Sequence, residues 1–221
     1  MIDKICLILT NKIKEEIEEI DDEAAEIIDY GLHLMIGELP KTFIILAFSY
    51  FLGVFKYTLF MILVLLPYRT FSGGIHLKTH VGCIISTTVY YCGIVKISKY
   101  FILYNPMKLI MILCIWTFGI IMIKKYAPAD TENVPILQKK ERKKKKILSY
   151  IFFTVELMVA VFINNSEIAN ILILGNLWQT LLITPIAYKL TNNKYGYEIY
   201  GRGKGYVKTY CKNSRKICKK Y

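Results

Sequence analysis

The chain has 221 residues, 54% of them apolar, and a formal net charge of +12. Its charges are strongly segregated: by count, residues 1–40 carry about −8 and the remainder about +20. A soluble basic domain of this size would suggest nucleic acid. Here the positive charge flanks long apolar runs, which is the pattern of a membrane protein with cytoplasmic Lys and Arg, and no nucleic-acid partner is expected.

Taken in chain order, residues 1–40 form an acidic, amphipathic region with eleven acidic and three basic side chains. That balance is the reverse of a basic signal-peptide start, so the first apolar segments are expected to direct insertion. Ile5, Leu9, Ile13, Ile17, Ile20, Ala24 and Ile27 recur at steps of three and four, predicting one helix over 5–28 with an acidic outer face. The simplest role for such a stripe is to pack on the rest of the protein. An anionic lipid surface would repel it.

Residues 41–190 are then read as a transmembrane helical domain. Uncharged runs occupy Thr42–Phe55, Tyr57–Tyr68, Val81–Val95, Leu109–Ile123, Ile147–Val155, Leu157–Ser166 and Ile168–Tyr188. A crossing helix needs about 20 mostly apolar residues. The loop 124–146 holds nine basic residues, ending in Lys139-Lys-Glu-Arg-Lys-Lys-Lys-Lys146, and is assigned to the cytoplasm. The basic tail 191–221 is placed on the same side. Parity then returns the stretch 69–83 to the cytoplasmic face. Thr42–Tyr68 either crosses twice as two short helices turning at Lys56 or dips in and returns; the first is favoured and completes an all-α, multi-pass membrane protein with about six membrane segments, both termini in the cytoplasm.

Six cysteines, at 6, 83, 92, 114, 211 and 218, form no Cys-x-x-Cys pair, and the three histidines complete no zinc spacing. No metal or other cofactor is expected. Cys92 and Cys114 lie in apolar runs as small hydrophobes. The basic tail carries Cys211 and Cys218 in a reducing compartment, where a structural disulfide is not expected.

The chemistry concentrates in Arg69-Thr-Phe-Ser-Gly-Gly-Ile-His76-Leu-Lys-Thr-His80-Val-Gly-Cys83. A thiol acts as a nucleophile only as its thiolate and needs a base or cation in reach. Thr79 is suited to cap a helix running through Val89, placing Cys83 in or near its first turn. His80 is three residues from Cys83, within side-chain reach on a helix. His76 is seven away, about 10.5 Å along a continuous helix, and reaches the sulfur only if the chain bends. Gly73 and Gly74 allow the segment before it to fold back. Local geometry therefore favours His80 as base. Amides near Gly82–Cys83 are candidate oxyanion donors.

The pattern Arg69…Gly74-Ile-His76…Cys83 resembles the accessory gene regulator protein B (AgrB) family. A second stretch, Lys125-Tyr-Ala-Pro-Ala-Asp-Thr-Glu-Asn-Val-Pro-Ile136, is similar to that family's Tyr-Ala-Pro…Pro-Ile loop. The hydropathy order, the length and the basic run match as well, so the resemblance covers nearly the whole chain. It implies a membrane cysteine endopeptidase of quorum sensing, with Cys83 as nucleophile and His76, rather than His80, as base. The implied substrate is an AgrD-type pro-peptide, whose C-terminal tail is removed before ring closure to a thiolactone or lactone. A homodimer is suggested by the resemblance only. Arg69, with Gly73 and Gly74, is assigned to substrate binding. The basic loop serves topology and anionic headgroups, or steers an acidic segment of the pro-peptide. The competing reading is a membrane exporter without proteolytic activity. Against it, no charged pair sits mid-span, and Glu156 is the one acidic residue well inside an apolar run. The pro-peptide's identity, the ring chemistry, the third catalytic residue and the oligomeric state are not written in the sequence.

Overall fold

A computed structural model describes residues 2–17, 22–75, 77, 79–100, 104–131, 136, 139–196 and 198. His76 and the tail from residue 199 lie outside the described residues. The described chain is helical: α1 (Ile2–Glu16), α2 (Asp22–Phe51), α3 (Phe55–Ser72), α4 (His80–Tyr100), α5 (Asn105–Tyr126), α6 (Lys139–Phe162), α7 (Ser166–Leu182) and α8 (Pro185–Leu190). The expected single helix over 5–28 is two helices. α1 ends at Glu16 and packs against α2, where the Thr10 hydroxyl donates to Asp29 at 3.1 Å. The apolar stripe is thus not the face of one continuous helix, and Ile5 and Ile17 stay exposed.

The expectation of about six membrane segments is not met. Among the described residues, two helices are long and apolar enough to cross a bilayer, Val81–Tyr100 in α4 and Pro106–Tyr126 in α5. The other apolar runs are cut short by charge or by the backbone. In α3 the uncharged stretch lies between Lys56 and Arg69, and α6 opens with the charged turns Lys139–Lys146 and buries Glu156. The run 168–188 breaks after Leu182, where Thr184 and Pro185 start a separate helix. These segments are too short for a roughly 30 Å hydrocarbon core. The crossing-length helices turn apolar side chains outward, including Val81, Ile85 and Val89 on α4 and Leu109, Ile110 and Leu113 on α5. Exposed apolar faces of this extent suit lipid contact.

The expected turn at Lys56 falls instead at Leu52–Val54. Gly53 has φ 68°, its N–H bonds Tyr50 O at 3.0 Å, and the Val54 N–H bonds Ser49 O at 2.9 Å. These are the two hydrogen bonds of a Schellman end with glycine in the left-handed position. Lys56 is the second residue of α3.

α7 lies at the centre, packing against α3, α4, α5 and α6. Small residues set these approaches. A Cβ on Gly175 of α7 would come 2.5 Å from Leu65 Cδ1, and one on Gly119 of α5 would come 2.1 Å from the Phe153 ring. Two apolar clusters result. One joins Tyr68, Ile123, Phe153, Leu157, Leu172 and Tyr188; the other joins Ile45, Met61, Leu65, Tyr90, Val95 and Ile171.

Candidate functional site

The site begins where α3 ends. Arg69 sits in the last turn of α3, and Gly73 leaves the helix with φ 73°, its N–H still bonded to Arg69 O at 3.0 Å. The chain then pairs with the segment after α5. Ala129 N–H donates to Ser72 O at 2.8 Å, and Gly74 N–H donates to Ala129 O at 2.9 Å, forming a short parallel bridge. A Cβ at position 73 would stand 2.4 Å from Ala129 O. Glycine is required here for both its φ and its absent side chain. The bridge also puts the start of α4 and the end of α5 at the same end of the bundle.

The two sequence motifs, more than 40 residues apart, are therefore one structural unit. The Gln179 amide of α7 completes it, donating to Gly73 O at 2.8 Å and to Ser72 Oγ at 3.1 Å. Arg69 reaches Gln179 Oε1 at 3.5 Å. Behind the bridge, the Ala127–Pro128 peptide is cis. The Tyr188 hydroxyl donates to Ala129 O at 2.8 Å and Asp130 O at 3.1 Å. Burial pushes the Tyr188 phenol well above its ordinary range, so it stays protonated as a donor. Asp130 is buried and paired with Arg142 at 2.7 Å, and it also accepts the Ile136 N–H at 3.0 Å. Arg142 further donates to Pro128 O at 3.1 Å. One residue of the basic run thus pins the loop, and the cluster is not only a topology signal. Neighbouring Lys146 is held below the ordinary lysine range by partial burial and by the charges of Arg142 and Lys124.

Cys83 lies in the first turn of α4. Thr79 caps that helix as expected: its hydroxyl accepts the Gly82 N–H at 3.2 Å and its carbonyl accepts the Cys83 N–H at 3.0 Å. Those two amides are consequently occupied, which removes the expected oxyanion donors. Cys83 opens into a small crevice lined also by Arg69, Leu77, Tyr90, Trp178 and Leu182. Arg69 and Cys83 thus share one cavity, with the Gly73–Gly74 bridge beside it. Gly73 O and Gly74 N–H are turned to protein partners rather than to the crevice. His80 is the first residue of α4, but its side chain lies outside what the structure describes, and so does all of His76.

Sequence reasoning missed Lys41. Its ammonium, buried where α2 meets α4, stands 3.8 Å from Cys83 Sγ and is paired with Glu38 at 2.5 Å. The one available signal was a lone lysine at the head of an apolar run. Gln179 was also missed, although Asn176, Gln179 and Thr180 recur at helical spacing inside an apolar segment. Arg142 was missed as well; its signal was to be the single arginine in a lysine run, since a planar fork suits a carboxylate-and-carbonyl clasp better than an ammonium.

Residues 6–183 match the sequence signature of the accessory gene regulator B family, AgrB. The chain belongs to the AgrB family. It is 28% identical over 183 residues to a putative AgrB-like protein of Listeria innocua, covering 81% of this chain and 87% of that protein. It is 29% identical over 202 residues to a putative AgrB-like protein 2 of Clostridium perfringens, covering 84% and 92%. No solved structure matches. The AgrB match spans both motifs and the central helix that joins them. AgrB membership links the chain to peptide processing in quorum sensing.

Proposed function

We propose that this AgrB-family protein is a membrane cysteine endopeptidase that shortens and cyclises an AgrD-type pro-peptide. The observation that carries the reading is Cys83, set in a crevice with Arg69 at the polar end of the two crossing-length helices and facing a buried cation. Cys83 is the nucleophile and His76 the base, with His80 the alternative. The Cys83 thiolate attacks the carbonyl at the end of the future signal sequence, and the tail leaves as an amine protonated by the imidazolium. A thiol or hydroxyl within the peptide then attacks the thioester and closes the ring. Exchange between thioesters is nearly balanced in energy, whereas hydrolysis runs strongly downhill, so the crevice must keep water from the acyl-enzyme. Confining the substrate to the bilayer surface raises its effective concentration. Arg69 holds a substrate carboxylate or carbonyl. The site faces the cytoplasm, on the side of the basic loop.

The test is co-expression with a candidate pro-peptide, comparing wild type with Cys83→Ser, His76→Ala and His80→Ala by mass spectrometry. Tail loss that requires Cys83 and His76 and survives His80→Ala is the expected result. Processing that persists in Cys83→Ser refutes the peptidase reading, and peptide export without cleavage favours a transporter.

A further inference from the structure

We propose that Lys41 is the cation that carries the charge of the Cys83 sulfur in both halves of this reaction. The inference rests on Cys83 being the nucleophile. Lys41 is 7% exposed, on a helix that carries no other charge from Thr42 to its end. An ammonium is costly to bury unless it is paired. Among the described residues its partners are the Glu38 carboxylate, itself 53% exposed, and Cys83 Sγ. A carboxylate open to solvent is a screened partner. A neutral thiol is a weak acceptor, so the contact at 3.8 Å contributes little while the sulfur is protonated. The same contact becomes an ion pair when the sulfur is a thiolate. The pair therefore favours the ionised sulfur: it raises the thiolate fraction from which attack starts, and it stabilises the thiolate that departs from the acyl-enzyme.

The direction of approach fits this role. Lys41 is not among the walls of the crevice, so its ammonium meets the sulfur from α2 and leaves the substrate side open. In the first half-reaction the sulfur–carbon bond forms, the carbonyl pair moves to oxygen, and the carbon–nitrogen bond then breaks as the amine takes a proton from the His76 imidazolium. In the second, the peptide's own nucleophile gives its proton to His76 and bonds the thioester carbon. The carbon–sulfur bond breaks and its pair returns to Cys83. The sulfur loses its charge once and regains it once, beside the same ammonium, whose proton count never changes. Because Lys41 serves the departing thiolate as well as the attacking one, its loss slows ring closure as well as tail release.

The experiment uses the full chain in membranes and reads two quantities. One is the rate of Cys83 alkylation by iodoacetamide, quantified on the Cys83 peptide by mass spectrometry, which needs no substrate. The other is kcat and KM for pro-peptide processing. Lys41→Met should slow alkylation by about tenfold or more and lower kcat by a similar factor with KM nearly unchanged, while Lys41→Arg restores most of both. Glu38→Gln, a change at an exposed side chain, removes the competing carboxylate and should speed alkylation about twofold. Alkylation at the wild-type rate in Lys41→Met, or a fall rather than a rise in Glu38→Gln, overturns the assignment. The two readings fail separately. Full processing by Lys41→Met alongside an inactive Cys83→Ser refutes the role of Lys41 alone, whereas processing by Cys83→Ser removes the nucleophile on which it rests.

Discussion

Replacing Gly73 by alanine tests the claim that the site is assembled by the pairing of two distant segments. The native φ of 73° costs an L-residue about 1–2 kcal/mol. The new Cβ would stand 2.4 Å from Ala129 O, a backbone atom that cannot swing aside, so the bridge must open. Opening forfeits the hydrogen bonds Ala129 N–H to Ser72 O and Gly74 N–H to Ala129 O, at about 1 kcal/mol each. The sum is about 3–4 kcal/mol, below the 5–15 kcal/mol that typically holds a whole domain. Local detachment of the loop from α3 is therefore expected before global unfolding. Amide hydrogen exchange is the direct assay: the Gly74 and Ala129 amides should lose about two orders of magnitude of protection, while the α7 core keeps its own. Pro-peptide processing should fall with it, because the bridged Ser72–Gly74 segment sets the path from Arg69 to Ile75 and Leu77, which line the crevice with Cys83. Gly74→Ala is the control. Its φ of 145° is also strained, but its Cβ meets Leu182 only at 3.6 Å, so the bridge should survive. Wild-type protection and full processing in Gly73→Ala would refute the reasoning.

Two further predictions concern packing and charge. Arg142→Met removes the guanidinium that pairs with the Asp130 carboxylate, which is 1% exposed. It should destabilise the loop by about 3–5 kcal/mol, with partial recovery in the Arg142→Met, Asp130→Asn pair, read as thermal unfolding in detergent. An unchanged melting temperature in the single variant would show the pair to be incidental. Gly119→Ala forces a methyl group into the Phe153 ring and should cost about 1–3 kcal/mol. Combining it with Phe153→Leu should give a loss smaller than the sum of the singles, whereas strict additivity would contradict the contact.

Much of this protein was legible from residue types and their spacing. Apolar runs and a segregated charge pattern identified a helical, membrane-associated chain, because burial and lipid contact both demand apolar side chains at helical period. The Thr79 cap was readable because it is a local interaction, settled by residues three apart. The two motifs near Gly74 and Ala129 marked the family, since each carries its residues within a short window. Tertiary structure decided what depended on distance. Whether an apolar run crosses a membrane turned on where helices break, and Thr184–Pro185 and the charged start of α6 end theirs too early. That Gly73 must be glycine follows from Ala129, a residue no local rule associates with it. Asp130 found Arg142, and Gln179 found Gly73, across separations that periodicity does not encode. Lys41 reaches Cys83 because α2 packs on α4, and a cation's effect on a sulfur depends on a few ångströms that exist only once the chain has folded.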